Sequence, residues 1–194
     1  VSQTELTQVE KLEKLRTAWL PAVEFLFGTP AESAEFKGFT VSEDIAKPIP
    51  HFGDASQPFH YTLQIPARSF SNEVMLLADL IQEMTRGLYP VGIDAKDTNA
   101  LSEGAAIYGA VAAVKQVFGE QTVDSYLNAL REQGFAYYDA FSYVSVLLTE
   151  DPQAIKKLRE IKPFLYEVER SDFDAVGIEI DRRIKDILLM KFRL

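Results

Sequence analysis

Cysteine is absent from this chain of 194 residues, and His51 and His60 are its only histidines. The missing thiols rule out disulfides, thiolate zinc or haem ligation and a thiol nucleophile. They leave the compartment open, because a reducing cytosol and a cysteine-poor exterior both tolerate a cysteine-free chain. Neither Ser71 nor Ser102 has a histidine close by in the sequence, so a serine triad has no support. Basic residues are also scarce, with 20 Lys and Arg against 29 Asp and Glu and a formal net charge of -9. No stretch clusters lysine and arginine, which argues against a nucleic-acid partner or an anionic membrane surface. No run of eighteen apolar residues exists, so no membrane span is expected. The Val1 start shows no basic segment leading into an apolar one, and whether a signal or anchor once preceded it stays open. No glycine-rich phosphate loop or G-x-G-x-x-G phrase is present, so no nucleotide enzyme and no cofactor is implied.

What remains is the pattern of one α+β domain, predominantly helical, spanning residues 1–194 without repeats or linkers. Residues 1–27 form an N-terminal helix, with Leu6, Val9, Leu12, Leu15, Trp19, Val23 and Leu26 recurring every three or four positions. Pro21 is expected to kink it or begin a second helix. Residues 28–70 hold most of the prolines and short alternating stretches at Phe39 to Val41 and Tyr61 to Ile65, which predict a small antiparallel sheet with a long loop. Residues 71–194 read as a helix bundle. Asn72 to Leu88 is apolar around most of its circumference, as a central helix should be. Ser102 is expected to cap a helix reaching Phe118, whose small residues from Gly104 to Ala113 permit close approach of another helix. Helices at Thr122 to Arg131, Phe135 to Leu148, a start at Asp151-Pro152 and an amphipathic end at Ile178 to Leu188 complete the expectation.

The central helix carries one polar stripe, Asp79, Gln82, Glu83 and Arg86, which either faces solvent or lines a cleft. Its segment Gln82-Glu83-Met84-Thr85-Arg86 is followed by Glu103 in the phrase Leu101-Ser102-Glu103-Gly104-Ala105-Ala106. In that order, after the alternating stretch at Tyr61 to Ile65, the chain from about residue 60 to 150 resembles the zincin-like, gluzincin type of metallopeptidase. There, H-E-x-x-H sets two zinc-binding histidines on one helical face, with a glutamate that activates the metal-bound water. A second helix supplies a third ligand, a glutamate often in an S-E-G phrase. The resemblance matches Glu83 to the general base and Glu103 to the third ligand, while Gln82 and Arg86 stand in place of both histidines. It therefore implies a degenerate frame without metal, in which Arg86 pairs with Glu103 and Glu83 where the dication would sit. It further implies a catalytically inactive protein that binds a peptide or protein in a cleft beneath an edge strand. Cleft residues on this reading are Asp79, Gln82, Glu83, Arg86, Glu103 and Tyr138. Tyr138, with Tyr137 beside it, corresponds roughly to a downstream tyrosine that some zincins use to stabilise the oxyanion.

Two other readings stay open: a hydrolase of unrecognised type using Glu83, Arg86 and Glu103, and a structural helical protein whose likeness to zincins is accidental. A glycosidase-like acid and base pair is opposed by Arg86, which would keep both carboxylates ionised. His51 and His60, with Asp54, offer no trustworthy metal-ligand spacing, and the histidines read as surface or loop residues making ordinary hydrogen bonds.

Overall fold

The computed structural model describes residues 2–192. Helix α1, Gln3–Phe27, begins where the Ser2 side chain accepts the Glu5 backbone N–H at 3.1 Å, and ends at Gly28, whose φ of 88° suits glycine. Pro21 does not start a second helix; it lies on the exposed face of one continuous α1. Strands β1, Glu35–Ser42, β2, Ile49–Phe52, and β3, His60–Pro66, form one sheet in the order β1-β3-β2. The sheet is mixed rather than antiparallel. β2 and β3 pair antiparallel, but β1 and β3 run parallel. The physical reason is the connection at 43–48, which carries the chain past one strand position before β3 returns between its predecessors. Central β3 buries Tyr61, Leu63 and Ile65, while edge strand β2 stays exposed or half-buried.

Beyond a 3-10 turn at Ala67–Ser71, helix α2, Glu73–Arg86, is capped by Asn72, whose side chain accepts the Met75 N–H at 3.1 Å. Leu76, Leu77, Leu80, Ile81 and Met84 are buried, with α2 packed on α1 and on helix α3, Ala100–Phe118. Asn99, not Ser102, caps α3 by accepting the Ser102 N–H at 2.9 Å; Ser102 lies inside the first turn, buried, with its hydroxyl unpartnered. A serine or asparagine ahead of an apolar run satisfies the same rule, so sequence could not separate the two. Gly104 has no room for a Cβ, which would collide with the Ala140 carbonyl of helix α5, Phe135–Glu150. On the other face of α3, a Cβ at Gly109 would stand 3.1 Å from Thr85 of α2. The small residues thus hold α3 close to two helices at once.

Helix α4, Glu120–Gln133, joins α3 to α5, followed by α6, Ala154–Ile161, α7, Arg170–Ala175, and α8, Arg182–Leu188. Pro152 sits in a turn ahead of α6 rather than in its first helical turn. The final helix is shorter than the apolar spacing predicts. Asp181 caps α8 by accepting the Arg183 N–H at 2.7 Å, leaving Ile178 and Ile180 outside any helix. Arg159 of α6, only 6% exposed, fastens these parts by donating to the carbonyls of Phe27, Leu88 and Pro163 at 2.7–3.0 Å. Burial lowers its pKa, yet each of its three nitrogens donates to a carbonyl oxygen.

Candidate functional site

The polar stripe of α2 faces a cleft of about 530 Å³. Helical spacing puts residues three and four apart on one face, so Asp79, Gln82, Glu83 and Arg86 project together. Glu103 reaches the same space from the first turn of α3, because the small residues of α3 bring the two helices close. β2 and its approach contribute Lys47, Pro48, Pro50 and Phe52. From β3 come Tyr61 and Leu63, from α4 Tyr126, Leu130 and Gln133, and from α5 Tyr137. Tyr89 and Tyr166 complete the lining.

At the centre, Arg86 lies between two carboxylates. Its Nε donates to Glu103 Oε1 at 3.1 Å, and one terminal nitrogen donates to Glu83 Oε2. Glu83 and Glu103 are 6% and 8% exposed, so both ion pairs are largely out of water. Thr98 adds a hydroxyl donor to Glu103 Oε2 at 3.3 Å, and Gln82 donates to the Tyr126 hydroxyl at 2.9 Å. Burial pushes the Glu83 pKa up, partly offset by Arg86. Burial works against the charged form of Arg86 as well, but Glu83 and Glu103 more than compensate and hold its pKa above the ordinary value. The guanidinium is therefore a permanent cation, and the triad Glu83, Arg86 and Glu103 is a charge-assisted network rather than an open acid and base pair.

Asp79 has a different environment. Burial raises its pKa from 3.8 to about 6, against the lowering effects of the Ser69 hydroxyl, Arg68 and Arg86. A folded-state value above the unfolded one means that the native protein retains a proton which the unfolded chain releases between about pH 4 and 6. The associated stability is complete below about pH 4 and is lost as pH rises through 6. Asp79→Asn is thus expected to stabilise the protein by on the order of 2 kcal/mol near neutral pH and to give no gain near pH 4. Urea unfolding at the two pH values checks this, and an equal gain at both would trace the effect to something other than ionisation.

Five of the six cleft residues expected from sequence line this space, and Tyr138 does not. One residue along a helix rotates a side chain by about 100°, from 3.6 residues per turn. Tyr138 instead packs against Phe135 and Phe141, with the Arg131 guanidinium over its ring, while Tyr137 faces the cleft. Tyr61, Tyr89, Tyr126 and Tyr166 also line the cleft, and nothing in the sequence around them marks them for it. The spacing of Tyr126, Leu130 and Gln133 does mark a single helical face, but nothing local says where that face turns. His51, exposed, lies on β2, and His60, half-buried, opens β3. His51 Nε2 bonds Gln64 Oε1 at 2.9 Å, His60 Nδ1 lies 3.4 Å from Glu35, and Asp54 Oδ1 accepts from Ser56. Among the described residues, no group of three or more His, Asp and Glu side chains is placed to hold a metal ion. Among the described residues, no helix is long and apolar enough to cross a membrane. Comparison of the chain with family models, characterised proteins and solved structures finds no match.

Proposed function

We propose that this chain is a zincin-like protein without a metal centre, a peptide- or protein-binding module on a metallopeptidase frame that does not hydrolyse its ligand. The single observation that carries the reading is Arg86 lodged between Glu83 and Glu103 in the cleft, a fixed cation where the frame would place a dication. A guanidinium can balance two carboxylates, but it cannot bind and acidify a water molecule as zinc does. The same arrangement opposes metal-free hydrolysis, since both carboxylates are engaged with Arg86 rather than free to exchange protons with a substrate.

Support for an extended ligand comes from β2, which pairs on one side only and whose residues line the cleft. Pro48 and Pro50 lack N–H groups, so this edge accepts hydrogen bonds more readily than it donates them. That blunts the edge against sheet growth with another copy while leaving carbonyls for a peptide's N–H groups.

A randomised peptide library displayed on phage, selected against the protein, tests the reading. Selected peptides are expected to bind the wild type, to lose at least tenfold in affinity when Leu130→Arg obstructs the cleft, and to be recovered uncut. Failure to select any cleft-dependent peptide would overturn the binding role. Cleavage that disappears with Glu83→Gln would overturn the inactive one.

A further inference from the structure

We infer that the ligand of this cleft presents a protonated amine or guanidinium, which enters among the cleft tyrosines and pairs with the carboxylate of Asp79. This deepens the peptide-binding reading above and rests on it.

The inference starts from a charge count. Asp79, Glu83 and Glu103 line the cleft against Arg86 and Lys47, and Lys47 is exposed at its rim. Arg86 is committed to Glu83 and Glu103. Asp79 is left with one hydrogen bond among the described residues, from the Ser69 hydroxyl at 3.2 Å. A carboxylate has about four acceptor sites, so most of its capacity is unused. Arg68 acts on Asp79 only at a distance, because its guanidinium donates to the Ala46 carbonyl.

The second observation is independent of the acidic groups. Tyr61 is 5% exposed and lines the cleft, yet its hydroxyl finds no partner among the described residues. It fits only because position 87 is glycine, since a Cβ there would collide with that hydroxyl. That oxygen opens on the cleft rather than being sealed without a partner, so its lone pairs are offered to a ligand's N–H. Tyr126 accepts from Gln82 through one lone pair, which leaves a second to accept from a ligand's N–H. Phenol oxygens, aromatic faces and an underused carboxylate suit a cation on an alkyl stem. An anion would meet three carboxylates, and a neutral apolar group would desolvate Asp79 further without pairing it.

The experiment repeats the phage selection in parallel on wild type and Asp79→Asn. It then measures the best peptide by calorimetry, with its basic residue intact and replaced by norleucine. Lysine or arginine is expected at one fixed position among wild-type binders, with at least a tenfold loss in affinity from either change. Cleft-dependent binders without a basic residue would overturn the inference and leave the peptide-binding reading standing. If no peptide is selected, that reading fails. Titration of the ¹⁵N-labelled protein with Nα-acetyl-lysine amide then decides for the cation: saturable shifts at cleft residues that vanish in Asp79→Asn support it, and their absence overturns it.

Discussion

The double variant Gln82→His with Arg86→His is expected to bind one zinc ion per chain where the wild type binds none. Positions 82 and 86 share one face of α2 and both line the cleft, so two imidazoles there would converge. The Arg86 side chain already meets Glu103 Oε1 at 3.1 Å, which places a carboxylate within reach of a metal held at that position. Glu83 would stand beside the fourth position, where a water molecule completes an open three-ligand site. A dissociation constant in the micromolar range or below, at least about 8 kcal/mol of binding free energy, is the expected result. Elemental analysis after incubation with zinc and dialysis measures it, with the wild type alongside. A folded double variant holding no more zinc than the wild type would sink the zincin frame itself. Stoichiometric zinc in the wild type would instead overturn the metal-free reading.

Arg86→Met carries the largest expected loss of stability. The two carboxylates it serves are nearly buried, and removing one partner of such a network typically costs about 3–5 kcal/mol, because the charge left behind has no counter-ion. For a domain of this size that is roughly a 10 °C drop in melting temperature. The loss has a definite pH dependence. Burial already raises the Glu83 pKa and Arg86 opposes that rise, so the substitution moves it further up. A group whose folded pKa exceeds its unfolded value is most favourable to folding when protonated, below about pH 4, and progressively less so as pH rises through the folded value. The melting temperature of Arg86→Met should therefore approach that of the wild type toward acid pH and diverge near pH 7–8. Calorimetric scans across that range check it. A penalty of the same size at every pH would mean that Arg86 contributes packing by its alkyl stem and not charge.

These expectations depend on features that the chain reveals unequally. The stripe Asp79, Gln82, Glu83 and Arg86 was legible because helix phase is local: once α2 is a helix, spacings of three and four put those residues together. Glu103 was legible for a related reason, since the glycines and alanines of α3 announce a close helix contact before any partner is known. Sequence also sufficed for a mostly helical α+β chain, for a small sheet using the Tyr61 to Ile65 stretch and for the absence of cysteine chemistry.

Other parts were decided only when distant segments packed. The strand order β1-β3-β2, with its parallel pair, depends on where a loop carries the chain, and short alternating stretches read alike in either pairing. That order puts Pro50 and Phe52 over the stripe and turns its face from open solvent into a cleft. Packing likewise chose Tyr137 over Tyr138, because the rotation of α5 about its axis answers to its contacts with α3 and α4 and not to its own composition. It also recruited Arg159 to join the ends of α1 and α2, which lie 132 and 71 residues away. Short-range periodicity determines which side chains share a face. Only long-range packing determines what that face meets, since the burial that selects one arrangement is the sum of contacts between segments far apart in the chain.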